Sequence, residues 1–349
     1  MRVLTTLPQE DLRAVPAAAR AAEAQGFDGL ATQENRNEPF LALAVAAVAT
    51  ERVELGTAVA IAFPRSPMLT ANAAWDLQIA SRGRFVLGLG PQIKPHNEKR
   101  FSVPWSPPVP RLREYVQALR AIWRSWETGA PLRFEGKHYA FTLMTPNFVP
   151  ASLHLPMVPV TLAAVGPHTL RLAGEVADGV RLHPFCTRRY LEEAVLPRLD
   201  EGFARAGRSR EHFEISGGGF IATGADAAAV AEMVEWVRMR VAFYGSTPAY
   251  WPVLDMHGLG DLGRALNALS KQGKWDEMTA SVPDDVVHLF AAIGTHREIA
   301  GVIERRFGGL ADAVFASLSA STPSDLPPDV LQDIRRIPTR FAGYRLSWS

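Results

Sequence analysis

Short apolar runs alternate with amphipathic segments along most of the chain. Such runs, bounded by Gly, Pro and polar residues, are typical of buried strands. They predict strands over Val3–Leu7, Phe27–Thr32, Val53–Ile61, Phe85–Leu89, Val158–Ala164, Gly179–Leu182, Phe213–Ala222 and Ala313–Ser317. Because each intervening helix returns the chain in the same direction, the strands should pair in parallel. Eight such strands favour a (β/α)8 TIM barrel with insertions over a small doubly wound sheet.

The segments between the apolar runs show helical periodicity, most clearly before the fifth strand. Over Arg111–Trp126 the apolar residues step by three and four, which places them on one face of a helix. Helices are likewise predicted over Glu10–Gln25, Phe40–Thr50 and Met68–Ser81. Gly26 follows the first of these, where glycine commonly ends a helix.

We expect a single domain over residues 1–349 with two insertions. They are predicted at about 127–156 and 243–295, after strands four and seven. Both should lie in loops that follow strands, at the end of the barrel where active sites are built. The tail, at about 322–349, is predicted to be a short helix and coil.

Composition limits the location and the partners of the chain. Lys+Arg number 37 and Asp+Glu 36, so no overall field attracts nucleic acid or an acidic membrane. The longest nearly pure apolar run, Phe40–Ala49, is about half as long as a bilayer crossing. The start, MRVLTTLPQED, lacks the apolar core of a signal peptide. Cys186 is the only cysteine, which excludes a disulfide framework and a multi-thiolate metal site. We expect a cytoplasmic protein.

Polar residues after the second strand are the first candidates for chemistry. The segment Gln33–Glu34–Asn35–Arg36 is either a solvated loop that starts a helix or part of an active site. In the second case Glu34 could exchange a proton if burial raised its pKa.

Two further loops could hold an anion. Gly90–Pro91–Gln92 ends the fourth strand, with His96 close behind, and backbone amides in such a turn can surround a phosphate. Val165–Gly166–Pro167–His168–Thr169 opens a helix after the fifth strand, and a helix N-terminus favours anions. Ordinary turn geometry explains both loops equally well. We expect no metal site, because no second set of ligands occurs at a suitable spacing.

Taken together, these segments resemble the luciferase-like flavin and deazaflavin oxidoreductases. The resemblance lies in the order and spacing of VELGTAVAIAFPRSP, GRFVLGLG, HNEKRF, RLREYVQALRAIW, FEGKHYAF, LAAVGPHTLRLAGEVADG and FYGSTPAYWPVL. This last block, together with ENRNEPFLALAVAA, is similar to the subgroup that depends on coenzyme F-420.

The resemblance implies a TIM barrel that binds an isoalloxazine-type ring across the carboxyl ends of its strands. A bulge with a non-proline cis peptide, which by position is Ala58–Val59, would support the ring. The cofactor phosphate would lie at the two anion-competent loops. The implied cofactor contacts are therefore Ala58, Val59, Gly90, Pro91, Gln92, His96, Val165, Gly166, His168 and Thr169.

The resemblance also places Glu34 and Asn35 in the catalytic centre. Asn35 stands where many relatives carry a catalytic histidine, and an amide cannot transfer a proton near neutral pH. Sugar-phosphate dehydrogenases of this kind have a glutamate just after strand four, and Ile93 occupies that region here. This departure argues against a sugar-phosphate substrate.

Three functions are consistent with the sequence. The first is hydride transfer between coenzyme F-420 and a small organic substrate. The second is an FMN-dependent monooxygenase that receives reduced flavin from a separate reductase. The third is a non-catalytic relative that only binds a ligand. Aromatic residues would roof the pocket, namely Trp105, Tyr139, Phe141, Phe148, Tyr250 and Trp251. Because relatives commonly dimerise, we expect a homodimer.

Overall fold

Eight parallel strands close into a barrel in this computed structural model, which describes residues 1–317, 324 and 326–348. The strands, β1 to β8 in chain order, are Arg2–Thr6, Gly29–Thr32, Glu54–Thr57, Phe85–Gly90, Val160–Ala164, Gly179–Leu182, Glu214–Gly217 and Ala313–Phe315. Each strand pairs with its neighbours in the order β3-β2-β1-β8-β7-β6-β5-β4, and β4 pairs with β3 to close the ring. The predicted TIM barrel is confirmed.

Helices form a ring around the strands. In chain order α1 to α14 are Val15–Gln25, Pro39–Ala49, Pro67–Ala80, Lys94–Lys99, Pro108–Thr128, Pro167–Val176, Leu196–Ala206, Ala227–Gly245, Trp251–Asp255, Gly260–Lys271, Trp275–Ala280, Asp284–Phe290, Ile299–Phe307 and Pro328–Arg335. A helical turn at Arg188–Tyr190 and a π-helix at Leu191–Val195 lead into α7. Gly26 ends α1 in the left-handed conformation, as expected. Helix α14 packs against β1 and α13, so it belongs to the ring.

The third strand is interrupted by a bulge. Gly56 pairs with Val86 and Ala60 with Leu89, so β3 uses one more residue than β4 between these pairs. The peptide bond between Ala58 and Val59 within the bulge is cis. The uninterrupted strand predicted over Val53–Ile61 is therefore wrong, whereas the bulge and cis peptide implied by the resemblance are confirmed.

The strand predicted over Phe213–Ala222 is in fact two strands. Strand β7 ends at Gly217, and Phe220–Gly224 pairs with Ala291–Thr295 outside the barrel. Gly217 and Gly218 have φ values of +87° and +102°, which turn the chain between the two strands. The segment outside the barrel thus begins before the predicted 243, which falls inside α8.

The segment 127–156 follows a helix rather than a strand, because α5 ends at Thr128. The expectation that it is a loop following strand four is therefore corrected. The segment returns along α5 and forms an antiparallel hairpin of Phe134–Glu135 with Ala140–Phe141. Arg111 at the start of α5 donates to Tyr139 Oη at 3.0 Å, which anchors the hairpin towards the carboxyl ends of the strands.

A buried ionic network closes the amino-terminal end of the barrel. Arg2 bonds Glu54 at 2.9 Å and Glu214 at 2.5 Å, and Arg181 lies 3.5 Å from Glu214. Tyr344, from the C-terminal tail, donates to Glu214 at 3.0 Å. Among the described residues these side chains fill this end, which leaves the carboxyl ends of the strands for a ligand.

Candidate active site at the carboxyl ends of the strands

The bulge forms one wall of the site and depends on two glycines of β4. A Cβ on Gly88 would lie 1.9 Å from the Thr57 carbonyl oxygen, and one on Gly90 would lie 2.8 Å from Val59 Cγ2. Only glycine permits this approach of β3 and β4. Close packing against the bulge therefore explains both glycines, of which Gly90 also begins the predicted phosphate loop Gly90–Pro91–Gln92.

Glu34 holds the bulge in place. Its carboxylate accepts hydrogen bonds from the Ile61 backbone N–H at 2.6 Å and from Arg65 Nη1 at 2.6 and 2.7 Å. The side chain is only 8% exposed, and the Glu34 N–H donates to the Val59 carbonyl at 3.4 Å. Since both carboxylate oxygens are occupied, these contacts favour a positioning role over proton transfer.

Asn35 is exposed at the rim beside Glu34. Its side-chain amide donates to Gln33 Oε1 at 3.0 Å, and its carbonyl accepts from Arg100 at 2.5 Å. The side chain can therefore orient a bound group by hydrogen bonding, as an amide allows.

The loop after β4 is shaped by a residue that sequence reasoning did not single out. Asn97 is fully buried, and its Nδ2 donates to the carbonyls of Pro91 at 2.9 Å and Ile93 at 3.1 Å. Gln92 has a φ of +57°, and His96 is exposed on the short helix α4. The signal that could have found Asn97 is weak, because a buried asparagine inside an exposed polar stretch leaves no periodic pattern.

The N-terminus of α6 is open and uncapped. No side chain caps α6, which is also true of α1, α5 and most other described helices. A Cβ on Gly166 would meet no atom within 4 Å. The helix therefore presents first-turn amides and its positive dipole end to free space, which suits an anionic group such as a phosphate.

The backbone around this N-terminus is fixed by its neighbour. Val165 directly follows β5, and its carbonyl accepts a hydrogen bond from Tyr190 Oη at 3.2 Å. Thr169 is half-buried and His168 exposed, both in the first turn of α6. Of the two loops predicted to bind the phosphate, the one after β5 thus lies at the start of α6, whereas Gly90–Pro91–Gln92 follows β4.

A histidine that sequence reasoning missed lies at the end of β6. His183 directly follows Leu182, and its Nδ1 accepts the Phe185 backbone N–H at 3.0 Å. Its ring contacts Tyr244 and Tyr250 at centroid distances of 4.3 and 4.6 Å. Burial, with the positive charge of Arg240, lowers the pKa of His183 to about 3. The feature of the sequence that could have identified His183 is its position directly after a predicted strand.

The other residues predicted near the mouth have different surroundings. Trp105 packs edge-on against Phe63 at 6.3 Å, and Tyr250 covers His183. Phe148, on the segment that follows α5, is 77% exposed and roofs nothing. Cys186, close behind His183, is buried, and burial raises the pKa of its thiol to about 12, so it is no nucleophile near neutral pH.

The described part of the chain contains neither a candidate membrane-spanning helix nor a cluster of metal-ligand side chains. No helix there is both long and apolar enough to cross a bilayer. No group of three or more His, Cys, Asp or Glu side chains there is arranged to hold a metal ion.

Known proteins match the chain over nearly its whole length. The sequence profile of the luciferase-like monooxygenases matches residues 2–312. An uncharacterised protein of Mycobacterium tuberculosis is 47% identical over 95% of this chain and 97% of its own. The 5,10-methylenetetrahydromethanopterin reductase of Archaeoglobus fulgidus is 30% identical over 91% of each chain. The solved coenzyme F420-dependent tetrahydromethanopterin reductase of Methanopyrus kandleri has a TM-score of 0.77 at 21% identity, covering 96% of this chain and 97% of its own.

Proposed function

Because the chain belongs to the luciferase-like monooxygenase family, whose members are oxidoreductases, we propose that it transfers a hydride between a deazaflavin of the coenzyme F-420 class and a small organic substrate. The 30% identical reductase of Archaeoglobus fulgidus supports a reductase over an oxygenase. The similar fold of a reductase described as coenzyme F420-dependent is consistent with the choice of cofactor.

The observation that carries the proposal is the open N-terminus of α6 near the mouth of the barrel. A deazaflavin cofactor combines a flat ring with an anionic phosphate tail. The bulge at Ala58–Val59 offers a small-residue wall for the ring, and the free amides at His168 and Thr169 suit the phosphate. The residues present therefore fit such a group.

Each predicted contact has a role in this proposal. Ala58 and Val59 support the ring, while Val165, Gly166, His168 and Thr169 surround the phosphate. The remaining contacts line the rim after β4, namely Gly90, Pro91, Gln92 and His96. When bound, the deazaflavin supplies two electrons as a hydride, and the protein supplies orientation and exclusion of water.

We assign Glu34 and Asn35 to positioning within the catalytic centre. The ion pair of Glu34 with Arg65 holds the bulge under the ring. Asn35, at the rim, orients the ring or the substrate through its side-chain amide. Neither residue carries a proton to the substrate in this proposal.

The direct test is hydride transfer in the absence of oxygen. Purified protein is mixed with reduced coenzyme F-420 and a panel of ketones, imines and activated alkenes, and the return of the oxidised cofactor's absorbance is followed. We expect protein-dependent oxidation with at least one substrate class. Product formation only with reduced FMN, oxygen and a flavin reductase would instead support the monooxygenase alternative.

We also propose that the protein is a homodimer that pairs through α2. This helix, PFLALAVAAVA, has no charged or polar residue, and on its outer face Leu41 is 55% and Val48 78% exposed. The neighbouring α3 adds Leu69 at 64% and Ile79 at 49%. A helix that is apolar all round is normally buried, so a second copy of the chain is the natural cover.

A further inference from the structure

His183 and the bulge lie at the same end of the barrel. Strand β6 ends at Leu182, directly before His183, and β3 ends at Thr57, directly before the cis peptide of Ala58–Val59. In a barrel of parallel strands these carboxyl ends border one opening. Because β4 and β5 separate the two strands, the two positions lie apart on its rim.

The histidine is fixed in one tautomer. A backbone N–H can only donate, so Nδ1, which accepts from Phe185, carries no proton. The neutral ring must then carry its proton on Nε2. Among the described residues no acceptor lies within hydrogen-bond distance of that Nε2–H, and the side chain is only half-buried. Nε2–H is therefore the donor of this ring that remains for a ligand.

Aromatic rings hold this donor still. Tyr250 lies over the imidazole with an angle of 35° between the rings, and Tyr244 meets it edge-on at 83°. Arg240 is engaged elsewhere: it bonds Tyr244 Oη and lies over the rings of Trp236 and Tyr244 at 5.7 and 4.8 Å. The group that meets a ligand here is therefore a neutral, oriented N–H in aromatic surroundings, which suits an uncharged acceptor.

We propose that His183 binds the substrate's oxygen atom, donating a hydrogen bond from Nε2–H to a carbonyl that lies between β6 and the bulge at Ala58–Val59. The substrate class is thus a ketone or aldehyde, or the alcohol that corresponds to it. The histidine keeps its proton and polarises the carbonyl as a neutral donor. This assignment rests on the proposed function, because the carbonyl carbon would exchange the hydride with the cofactor. The oxygen would take up its proton from solvent water in the reduction and return it to water in the oxidation of the alcohol.

The test reads the histidine directly, without turnover. Protein labelled with 15N-histidine is loaded with oxidised coenzyme F-420, and the His183 signal is assigned by its absence in His183→Phe. The sample is then titrated with cyclohexanone and, separately, with methylenecyclohexane, which has the same shape but no oxygen. We expect the free protein to show the Nε2–H tautomer, and cyclohexanone alone to shift the signal.

The controls separate this inference from the proposed function. Cofactor affinity, measured by fluorescence quenching, should be unchanged in His183→Phe and in His288→Phe, an exposed histidine on α12. Cyclohexanone should bind about tenfold more weakly to His183→Phe than to wild type, the loss expected for one hydrogen bond. The role of His183 would be overturned if the free protein showed the Nδ1–H tautomer. It would also be overturned if both probes shifted the His183 signal equally, or if neither probe shifted it. Failure of wild type to bind the cofactor would instead overturn the proposed function.

Discussion

The Glu34 carboxylate accepts hydrogen bonds from the chain and from a cation at the same time. One is the backbone N–H of Ile61 just beyond the bulge, and the other partner is Arg65 at 2.6 Å. Hydrogen bonds to charged groups are among the stronger single contacts in a protein. At the residue scale, the shape of the ring-binding wall therefore depends on one charged side chain.

Replacing Glu34 by Gln should lower the free energy of unfolding by about 2 kcal/mol, because the charge that holds Arg65 is lost. Deazaflavin affinity should fall with it, since the bulge loses its support. Chemical denaturation and fluorescence titration measure the two effects. Glu98→Gln removes an exposed carboxylate 3.9 Å from Lys94 and should change stability by less than about 0.5 kcal/mol. Equal effects of the two substitutions would contradict the role of Glu34.

His183 should make the protein sensitive to acid. Its pKa is about 3 in the fold and about 6.5 when unfolded, so between these values the unfolded chain binds a proton that the folded chain does not. Stability should therefore fall as the pH is lowered from 6.5, by at most about 1.4 kcal/mol per pH unit from this residue. The other groups that face the ring are Arg240, Tyr244 and Tyr250. They are the same in wild type and in His183→Phe, so a difference between these two proteins reports on His183.

Denaturation at pH 7, 6, 5 and 4 tests this effect. The decline with acid should be shallower in His183→Phe than in wild type, whereas His288→Phe should follow wild type. Parallel curves for wild type and His183→Phe would show that this histidine is protonated in the folded state.

At the scale of elements, the site joins one irregular strand to one open helix end. Gly166 has a φ of −84°, which any residue can adopt, and faces free space, so a side chain there would extend over the first turn of α6. The position can therefore be altered without disturbing the barrel.

Gly166→Leu should weaken deazaflavin binding at least about tenfold by covering the amides that receive the phosphate. Stability should change by less than about 1 kcal/mol, as for other changes at a helix N-cap. Gly301→Leu, in the half-exposed helix α13, is the matched control and should bind the cofactor normally. Wild-type affinity in Gly166→Leu would remove this helix end from the site.

Strands were predictable from the sequence where the burial of apolar residues alone determines them. The strands of a barrel are buried on both faces, so Phe85–Leu89 stands out as an apolar run, one residue short of the observed strand Phe85–Gly90. The break at Gly217–Gly218 was not predictable, because apolar residues continue on both sides and the positive φ values leave no periodic signal. The position of Glu34 after a strand made it a candidate, but its contact with Arg65 depends on the folded chain and was not predictable from the sequence.

At the scale of the whole molecule, the two ends of the barrel have different roles. The ionic network of Arg2, Glu54, Arg181 and Glu214 fills one end and is covered by the tail. The opposite end keeps small residues and free amides. The outer surface adds the apolar face of α2, through which we propose that a second copy pairs.

The wild-type protein should have about twice the chain mass of 38.1 kDa in light scattering. Val48→Arg should shift it towards the monomer, because a charge would be buried in the proposed interface. Leu143→Arg is the matched control: Leu143 is also 78% exposed, but it lies on the segment that follows α5. A dimer that survives Val48→Arg and dissociates with Leu143→Arg would place the interface on that segment.

The most direct measurement of the central claim is an equilibrium titration of purified protein with coenzyme F-420 and, separately, with FMN, followed by cofactor fluorescence. The account predicts saturable quenching of the deazaflavin at micromolar concentration, weaker binding of FMN, and loss of the deazaflavin signal in Gly166→Leu. Tight binding of FMN without binding of the deazaflavin would contradict it.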